Sequence, residues 1–303
     1  MGASSARQAM ALTIKHTSAP LGHEIAGIDL KTIDERAFKA LDDAYREYGV
    51  IVVRGQNLSP RELVDFSRRF GKLLEYPLGN YLLEGFPEIF VVSNIIENGK
   101  PIGMKEAGAN WHSDMSFTHE PPRGSILYAV EVPVENGKTL GDTLFASGAA
   151  AYDDLPADVK AKIEGLYAVN SASHAAKKKI ERARERGTDD AELRARVERQ
   201  AREFPDVVHP LVRKHPLTGR KCLYLSGDQT CAIAGWDQQS SDALLNELKE
   251  HYLSPKYIYR HSWKVGDVMF WDNCLCMHKA VQDYHLPLRR KMLRTTIAGW
   301  PTH

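Results

Sequence analysis

The chain has 303 residues, enough for one large domain or two small ones. Hydrophobic residues make up 43% and charged residues 26%, an ordinary globular composition that excludes a fibrous or wholly disordered chain. The formal net charge of +1 lacks the basic excess of a nucleic-acid binder, and no apolar run reaches the length of a membrane span.

Residues 1–10 lack the apolar core of a signal peptide and are expected to form a disordered leader; a single domain is expected over 11–303. Residues 11–16 and 24–30 read as opening strands. Residues 34–48 carry apolar side chains at Phe38, Leu41, Ala44 and Tyr48, the spacing of a helix with one buried stripe, and Gly49 stops it. Residues 50–53 are the β-branched run of a buried strand. Ser59, Pro60 and Glu62 are a helix start, with Leu63, Phe66 and Phe70 on one face and Gly71 ending it. Strands are expected at 88–93, 125–132 and 141–145, with a polar loop over 97–109 and a turn at 135–138. Helices are expected at 149–155 and 157–163.

Residues 175–203 differ from the rest. Lys, Arg and Glu dominate, which predicts one or two charged helices broken near Gly187 and Asp189. A solvated surface excursion is the plain reading, and a mobile lid over an active site is the alternative. Strands resume at 207–212 and 223–225, then an amphipathic helix at 242–252, then strands at 257–263, 268–271 and 291–298. The expected fold is mixed α/β, mainly β. Its core is a double-stranded β-helix, or jelly roll, with flanking helices and a charged helical insertion. There is no regular strand–helix alternation, no Gly-x-Gly-x-x-Gly and no P-loop, which argues against a doubly wound sheet. Cys222, Cys231, Cys274 and Cys276 form no CxxC pair and fit the reduced, structural thiols of a cytoplasmic protein.

The chemistry centres on Asn110-Trp111-His112-Ser113-Asp114. In an extended segment His112 and Asp114 point to one side, while Trp111 and Ser113 face away. His278, just beyond the buried strand Val268-Met269-Phe270-Trp271, offers a third ligand. Together they compose the 2-His-1-carboxylate face that holds Fe(II) and leaves its other positions open. Further on, Arg290, Met292, Arg294 and Thr296 share one face of the last strand. Two guanidinium groups on an interior face are costly unless anions neutralise them, which suggests a pocket for two anionic groups.

From about residue 22 to 299 the sequence resembles the taurine dioxygenase and 2,4-dichlorophenoxyacetate dioxygenase group of Fe(II)/2-oxoglutarate-dependent oxygenases. The marks include Gly27-Ile28-Asp29-Leu30, Trp111-His112-Ser113-Asp114-Met115-Ser116-Phe117, Gly141-Asp142-Thr143, His209-Pro210-Leu211, Trp271-Asp272-Asn273, His278 and the Arg290/Arg294 pair. The resemblance implies that His112, Asp114 and His278 ligate iron. It implies that the Thr143 hydroxyl contacts 2-oxoglutarate, that Arg290 pairs with the distal carboxylate of 2-oxoglutarate, and that Arg294 meets the substrate's anionic group. Asn110 and Phe117, by adjacency to the ligands, and Tyr76 and Asn80, by alignment, are the expected substrate wall. The taurine enzyme has histidine where this chain has Tyr76 and asparagine where it has Gly108, which points away from taurine itself. The carboxylate of Asp114 points away from the halogenases, in which that position is small.

The implied cofactor and cosubstrates are Fe(II), 2-oxoglutarate and O2. The implied reaction hydroxylates a C–H bond of a small anionic substrate, a carboxylate, sulfonate or sulfate ester, with release of succinate and CO2. Where the carbon bears a heteroatom, the product fragments. No nucleic-acid or membrane partner is expected, and relatives of this type lean toward dimers or tetramers. Two rivals stand beside this reading: a zinc-dependent hydrolase on the same triad and a non-catalytic jelly-roll binding protein.

Overall fold

A computed structural model describes residues 12–75, 81–105, 107–187 and 191–302. The expected leader and two of the expected wall residues, Tyr76 and Asn80, lie outside the described residues. The elements run in the order β1 (Thr13–Lys15), β2 (His23–Ala26), α1 (Glu35–Tyr48), β3 (Val50–Val53), α2 (Pro60–Arg68), β4 (Leu82–Leu83), β5 (Phe86–Ser93), β6 (Gly124–Glu131) and β7 (Thr143–Ser147). They continue with α3 (Gly148–Asp153), α4 (Ala157–Ile163), β8 (Tyr167–Asn170), α5 (Ala172–Glu185), α6 (Ala191–Glu203), β9 (Val207–Pro210), β10 (Thr230–Ile233) and α7 (Gln238–Tyr252). The chain closes with β11 (Ile258–His261), β12 (Val268–Asp272), β13 (Cys276–Ala280) and β14 (Lys291–Ile297).

Local chemistry sets the helix ends. Asp34 caps α1 by accepting from Ala37 N, and Gly49 ends it at φ 68°, a left-handed turn that is cheapest without a Cβ. Ser59 and Glu62 form a reciprocal capping box on α2, with Pro60 in the first turn.

Eight strands form the main sheet in the order β1-β2-β3-β12-β6-β14-β5-β4, antiparallel except where β2 runs beside β3. Side chains alternate across it. Ile51, Ile126, Phe270 and Leu293 pack against α1 and α2. Their neighbours Val50, Leu127, Met269 and Met292 face the other way, toward Phe145 and Cys276 of a three-stranded sheet ordered β11-β7-β13. The result is a pair of facing sheets in the layout of a jelly roll, with an apolar cluster between them. A third sheet, β9-β8-β10, packs with α3, α4 and α7 around Leu211, Leu223, Leu244 and Tyr252. No helix among the described residues is long and apolar enough to cross a membrane.

Several boundaries differ from the sequence expectation. Residues 207–212 are two strands, because Leu211 turns inward with its N–H on Leu166 O; 212–214 then pairs with 221–223. The strand expected at 223–225 therefore ends at Leu223. α7 starts four residues before the expected position because Asp237 caps it, accepting from Ser240 N. The strand expected from 257 starts at Ile258, after a short 3-10 turn at Pro255–Tyr257. The charged stretch forms two helices, α5 and α6, and Ser171 caps the first. All four cysteines are free, and the Cys222 thiol donates to Cys274 O at 2.9 Å, as a structural thiol does.

His209 of β9 ties the C-terminal residues to the segment that follows Asp114. Its Nε2 lies 2.8 Å from Ser116 O, and its Nδ1 bonds the Thr302 hydroxyl. Burial, helped by the charge of Arg213, pushes its pKa down to about 4 against the opposing pull of the Ser116 carbonyl. The unfolded chain protonates this ring below about 6.5, while the folded chain holds it neutral to about 4. The unfolded state therefore binds more protons across that window. Stability is full above it and falls as pH drops through it, by roughly 2–4 kcal/mol from this group. Urea unfolding at pH 7.0 and 4.5 checks this: His209→Gln, without the titrating ring, loses less stability between the two pH values than the wild type.

Candidate active site

The stretch around residue 112 meets β13 through a single antiparallel bridge. His112 N donates to His278 O at 3.0 Å, and His278 N donates to His112 O at 2.8 Å. Residues directly opposed in this way present their side chains on one side, and the two imidazole rings stand 4.1 Å apart. The chain then turns at once, with Met115 at φ 48°. Asp114 Oδ1 lies 3.5 Å from His112 Nε2 and 3.8 Å from His278 Nε2. The three donor atoms all lie within 4.8 Å of one another. These gaps are long for hydrogen bonds but suit ligands of a common ion, which sit about 3–3.5 Å apart when each bond is about 2.1 Å.

The charge states suit an ion as well. Burial pushes the Asp114 carboxyl up, but His278, His112 and the Ser125 hydroxyl outweigh burial and hold its pKa at about 2. Burial and the neighbouring His112 push His278 down to about 3. Burial disfavours a charged His112 too, yet Asp114 outweighs it and raises the pKa above the ordinary value. His112 Nδ1 sits 2.8 Å from Asn110 O, which assigns the N–H to Nδ1 and aims the Nε2 lone pair at the site.

A buried frame holds these groups. Ser125 Oγ, on β6, donates to Asp114 Oδ2 at 2.9 Å. Asp114 N donates to Asn273 Oδ1 at 3.2 Å, and Ser113, facing away as expected, donates to Asn273 O at 2.7 Å. Ser226 Oγ accepts from Ser113 N at 2.9 Å. Gly227 lies against Trp111: at φ +43°, a Cβ there would stand 1.9 Å from the Trp111 carbonyl oxygen.

Thr143 and Arg290 are brought together beside this centre. Trp263 Nε1 donates to Thr143 Oγ1 at 3.0 Å, and the Arg290 guanidinium lies 6.0 Å from the Trp263 ring and 5.8 Å from that of Tyr284. Gly141 lets them approach, since a Cβ at that position would stand 3.1 Å from Arg290 Nε. Arg290 is only 3% exposed, and its Nε has no hydrogen-bond partner among the described residues. Burial disfavours its charge and Tyr284 opposes that. A buried guanidinium in such surroundings fits a bidentate carboxylate.

Arg294 takes a different position. Its Nη1 donates to Asp114 Oδ1 at 3.2 Å, and the guanidinium lies 5.1 Å from the Phe90 ring. Burial lowers its pKa to about 10, so it stays charged at neutral pH.

A cavity of about 510 Å³ opens over His112, and Asn110, Trp111 and Phe117 are on its wall. Asp114, Thr143, His278, Arg290 and Arg294 are not. Ser125, Ser226, Gly227, Trp263 and Tyr284 escaped the sequence reading. The turn-like run Ser226-Gly227-Asp228 was the one sequence signal of a close backbone approach.

The model of the Taurine catabolism dioxygenase TauD, TfdA family matches residues 13–296. The chain belongs to this family. It is 35% identical over 264 residues to the alpha-ketoglutarate-dependent 2,4-dichlorophenoxyacetate dioxygenase of Burkholderia sp. (strain RASC), covering 82% of each chain. It is 31% identical over 307 residues to the alpha-ketoglutarate-dependent sulfate ester dioxygenase of Pseudomonas putida, covering 97% of this chain and 92% of that one. Among solved structures, AAD-2 in complex with Mn(II) and N-oxalylglycine superposes with a TM-score of 0.76 at 29% identity, over 97% of this chain and 100% of that one. The dioxygenase is thus an oxidoreductase dependent on Fe(II), 2-oxoglutarate and O2, which sets aside the zinc hydrolase and the non-catalytic binder.

Two substitutions test the frame. Ser125→Ala strips Asp114 Oδ2 of its hydroxyl and is expected to weaken Fe(II) or Mn(II) binding about 10–100-fold in anaerobic calorimetry, with the fold intact by circular dichroism. Gly227→Ala forces a strained φ and a clash with Trp111, and is expected to cost about 2–4 kcal/mol in urea unfolding.

Proposed function

We propose that the dioxygenase hydroxylates a C–H bond of a small organic anion, with residues 11–303 as one catalytic domain and α5 with α6 as its cover. The observation that carries this reading is the convergence of His112, Asp114 and His278 beside a buried Arg290. Bound Fe(II), with 2-oxoglutarate and O2, supplies one coupled reaction, in which the cosubstrate loses CO2 to become succinate and one oxygen atom enters the substrate.

The chain's own residues do the positioning. His112, Asp114 and His278 are the proposed ligands, with two imidazole nitrogens and one ionised carboxylate oxygen turned to a common point. Ser125 and Arg294 each hold one oxygen of Asp114, which keeps the carboxylate from rotating. Arg290 is proposed to take the distal carboxylate of 2-oxoglutarate through two parallel hydrogen bonds. The Thr143 hydroxyl accepts from Trp263, so its own proton is left to donate to that same carboxylate. Trp111 and Phe117 exclude water from the substrate side, where Asn110 offers an amide. Tyr76 and Asn80 remain proposed members of the same wall, and Arg294 is proposed as the interior cation for an anionic group that comes close to Asp114.

An anionic substrate is supported by the names of the relatives, one acting on 2,4-dichlorophenoxyacetate and another on sulfate esters. Where the hydroxylated carbon carries an oxygen substituent, the product is a hemiacetal-type adduct that collapses to a carbonyl and a leaving group, so fragmentation is proposed for such substrates.

Anaerobic addition of Fe(II) and 2-oxoglutarate is expected to produce a weak visible absorption band that His112→Ala abolishes. Arg290→Ala is expected to raise the 2-oxoglutarate concentration for half-saturation about 100-fold while Fe(II) still binds. An unchanged titration in that variant would remove Arg290 from the cosubstrate site. A succinate-release screen over carboxylates, sulfonates, sulfate esters and phosphonates then reads the substrate class, and release with neutral compounds alone would overturn the anionic assignment.

A further inference from the structure

The connection between β13 and β14 is tied down more firmly than a surface turn needs. It docks on the segment that carries Thr143: Val281 N donates to Asp142 O at 2.8 Å, and Asp283 Oδ1 accepts from Gly141 N at 2.7 Å. Its far end is held by Asn94, whose Nδ2 donates to Leu288 O and whose Oδ1 accepts from Arg290 N, both at 2.8 Å. Between these anchors the chain is exposed or half-buried, with one exception: Tyr284 is only 6% exposed.

An aromatic ring drawn inward from a surface connection normally joins an apolar cluster, and Tyr284 joins none of those formed by the described residues. It meets Gly141 and Arg290 instead. At φ +74°, a Cβ on Gly141 would stand 2.9 Å from Tyr284 Cε1, so the ring lies directly against that backbone. The centre of the ring is 5.8 Å from the guanidinium carbon of Arg290, within the range of a cation–π contact. Trp263 offers a second ring at 6.0 Å and is itself fixed by its bond to Thr143 Oγ1. Cation–π contacts gain strength out of water, and Arg290 is 3% exposed. An arginine side chain is long and rotatable, and here rings border it where an acid would otherwise hold it.

We propose that Tyr284 is a positioning residue: its ring holds the Arg290 guanidinium in the pose that receives a second carboxylate, and so makes the site select a dicarboxylic 2-oxo acid over a monocarboxylic one of equal length. The ring, not the hydroxyl, carries the role. Gly141 seats Tyr284, Tyr284 borders Arg290, and Arg290 meets the cosubstrate. The Gly141-Asp142-Thr143 run thus offers a hydroxyl at one end and sets the arginine from the other. A guanidinium fork binds a carboxylate through two parallel hydrogen bonds, a geometry lost when the fork swings. A fork already aimed loses less freedom on binding than a swinging one. This rests on Arg290 as the partner of 2-oxoglutarate, and the two ideas fail on different measurements.

The test is an anaerobic titration of the Fe(II)-loaded protein with 2-oxoglutarate and with 2-oxovalerate, which carries a methyl group in place of the distal carboxylate. Binding is followed by the visible band and by calorimetry. Tyr284→Leu is expected to weaken 2-oxoglutarate about tenfold and to leave 2-oxovalerate within about twofold, with Fe(II) binding as in the wild type. Tyr284→Phe, which keeps the ring, is expected to stay within about twofold of the wild type for both ligands. On an Arg290→Ala background Tyr284→Leu is expected to add no further loss, because the two residues act in series. Tyr284→Met repeats the measurement without a ring should the leucine variant not fold. Unchanged 2-oxoglutarate binding in Tyr284→Leu, beside a loss in Arg290→Ala, overturns the role of Tyr284 alone. An equal loss for both ligands also overturns it, since that marks a side chain that only fills space. A loss in Tyr284→Phe would shift the role to the hydroxyl and overturn the ring. Unchanged binding in Arg290→Ala strikes the reading of Arg290 itself, and the positioning role falls with it.

Discussion

Two backbone hydrogen bonds between His112 and His278 are the constraint on which the site depends. They make the two histidines opposed partners, so both imidazoles leave the backbone on one side. Everything around them is keyed to strand register. β7 pairs with β13 so that Phe145 lies opposite His278, which places Thr143 two residues along the same strand. Ser125 on β6 lies opposite Trp271 of β12 and Thr296 of β14, so the hydroxyl that holds Asp114 is set by the main sheet. The site is therefore a joint between the two sheets, with His278 from one and Ser125 and Arg294 from the other. A slip of one residue in either ladder would turn the relevant side chain to the opposite face.

That joint is largely buried, and there each charge needs an answer. Asp114 is answered within the chain by Arg294 and the Ser125 hydroxyl. Arg290 is flanked by the rings of Trp263 and Tyr284, and among the described residues no carboxylate comes within ion-pair distance of it. Removing a guanidinium from water without a counter-charge costs several kcal/mol. Such a residue is tolerated where the native partner is a ligand. The family's cosubstrate, a dicarboxylate, is a partner of the required sign and geometry.

The periodic parts of the fold were legible in the sequence because they are local. The α1 stripe, the Ser59 capping box and the β-branched run of β3 each depend on residues within a few positions. The shared inward face of Met292 and Arg294 followed from strand alternation alone, and Met292 packs in the sandwich interior while Arg294 meets Asp114. What alternation did not reveal was that Arg294 and Asp114 are partners, because that contact joins residues far apart in the chain. The same holds for Ser125 with Asp114, Ser226 with Ser113 and Trp263 with Thr143. Serine and tryptophan carry no periodic signature, and their role comes from pairings that only the closed sheets create. Capping also moved boundaries that hydrophobic pattern alone misplaced: Asp237 starts α7 ahead of its apolar stripe, and Ser171 starts α5 before the charged stretch begins.

α5 shows how composition misleads when it is averaged. Over 175–203 the abundance of Lys, Arg and Glu reads as a surface helix, and for the face bearing Lys177, Arg184 and Glu185 that is so. A helix has more than one face, however, and burial is decided stripe by stripe. Ala172, Ala176 and Ala183 are buried although the helix as a whole is polar, and Val197 of α6 is buried with them. Small residues on a buried stripe bring little apolar area to a core, so their use there is to leave room. Room beside His112 serves a ligand better than it serves packing, since an unfilled cavity forfeits the contacts that close packing supplies.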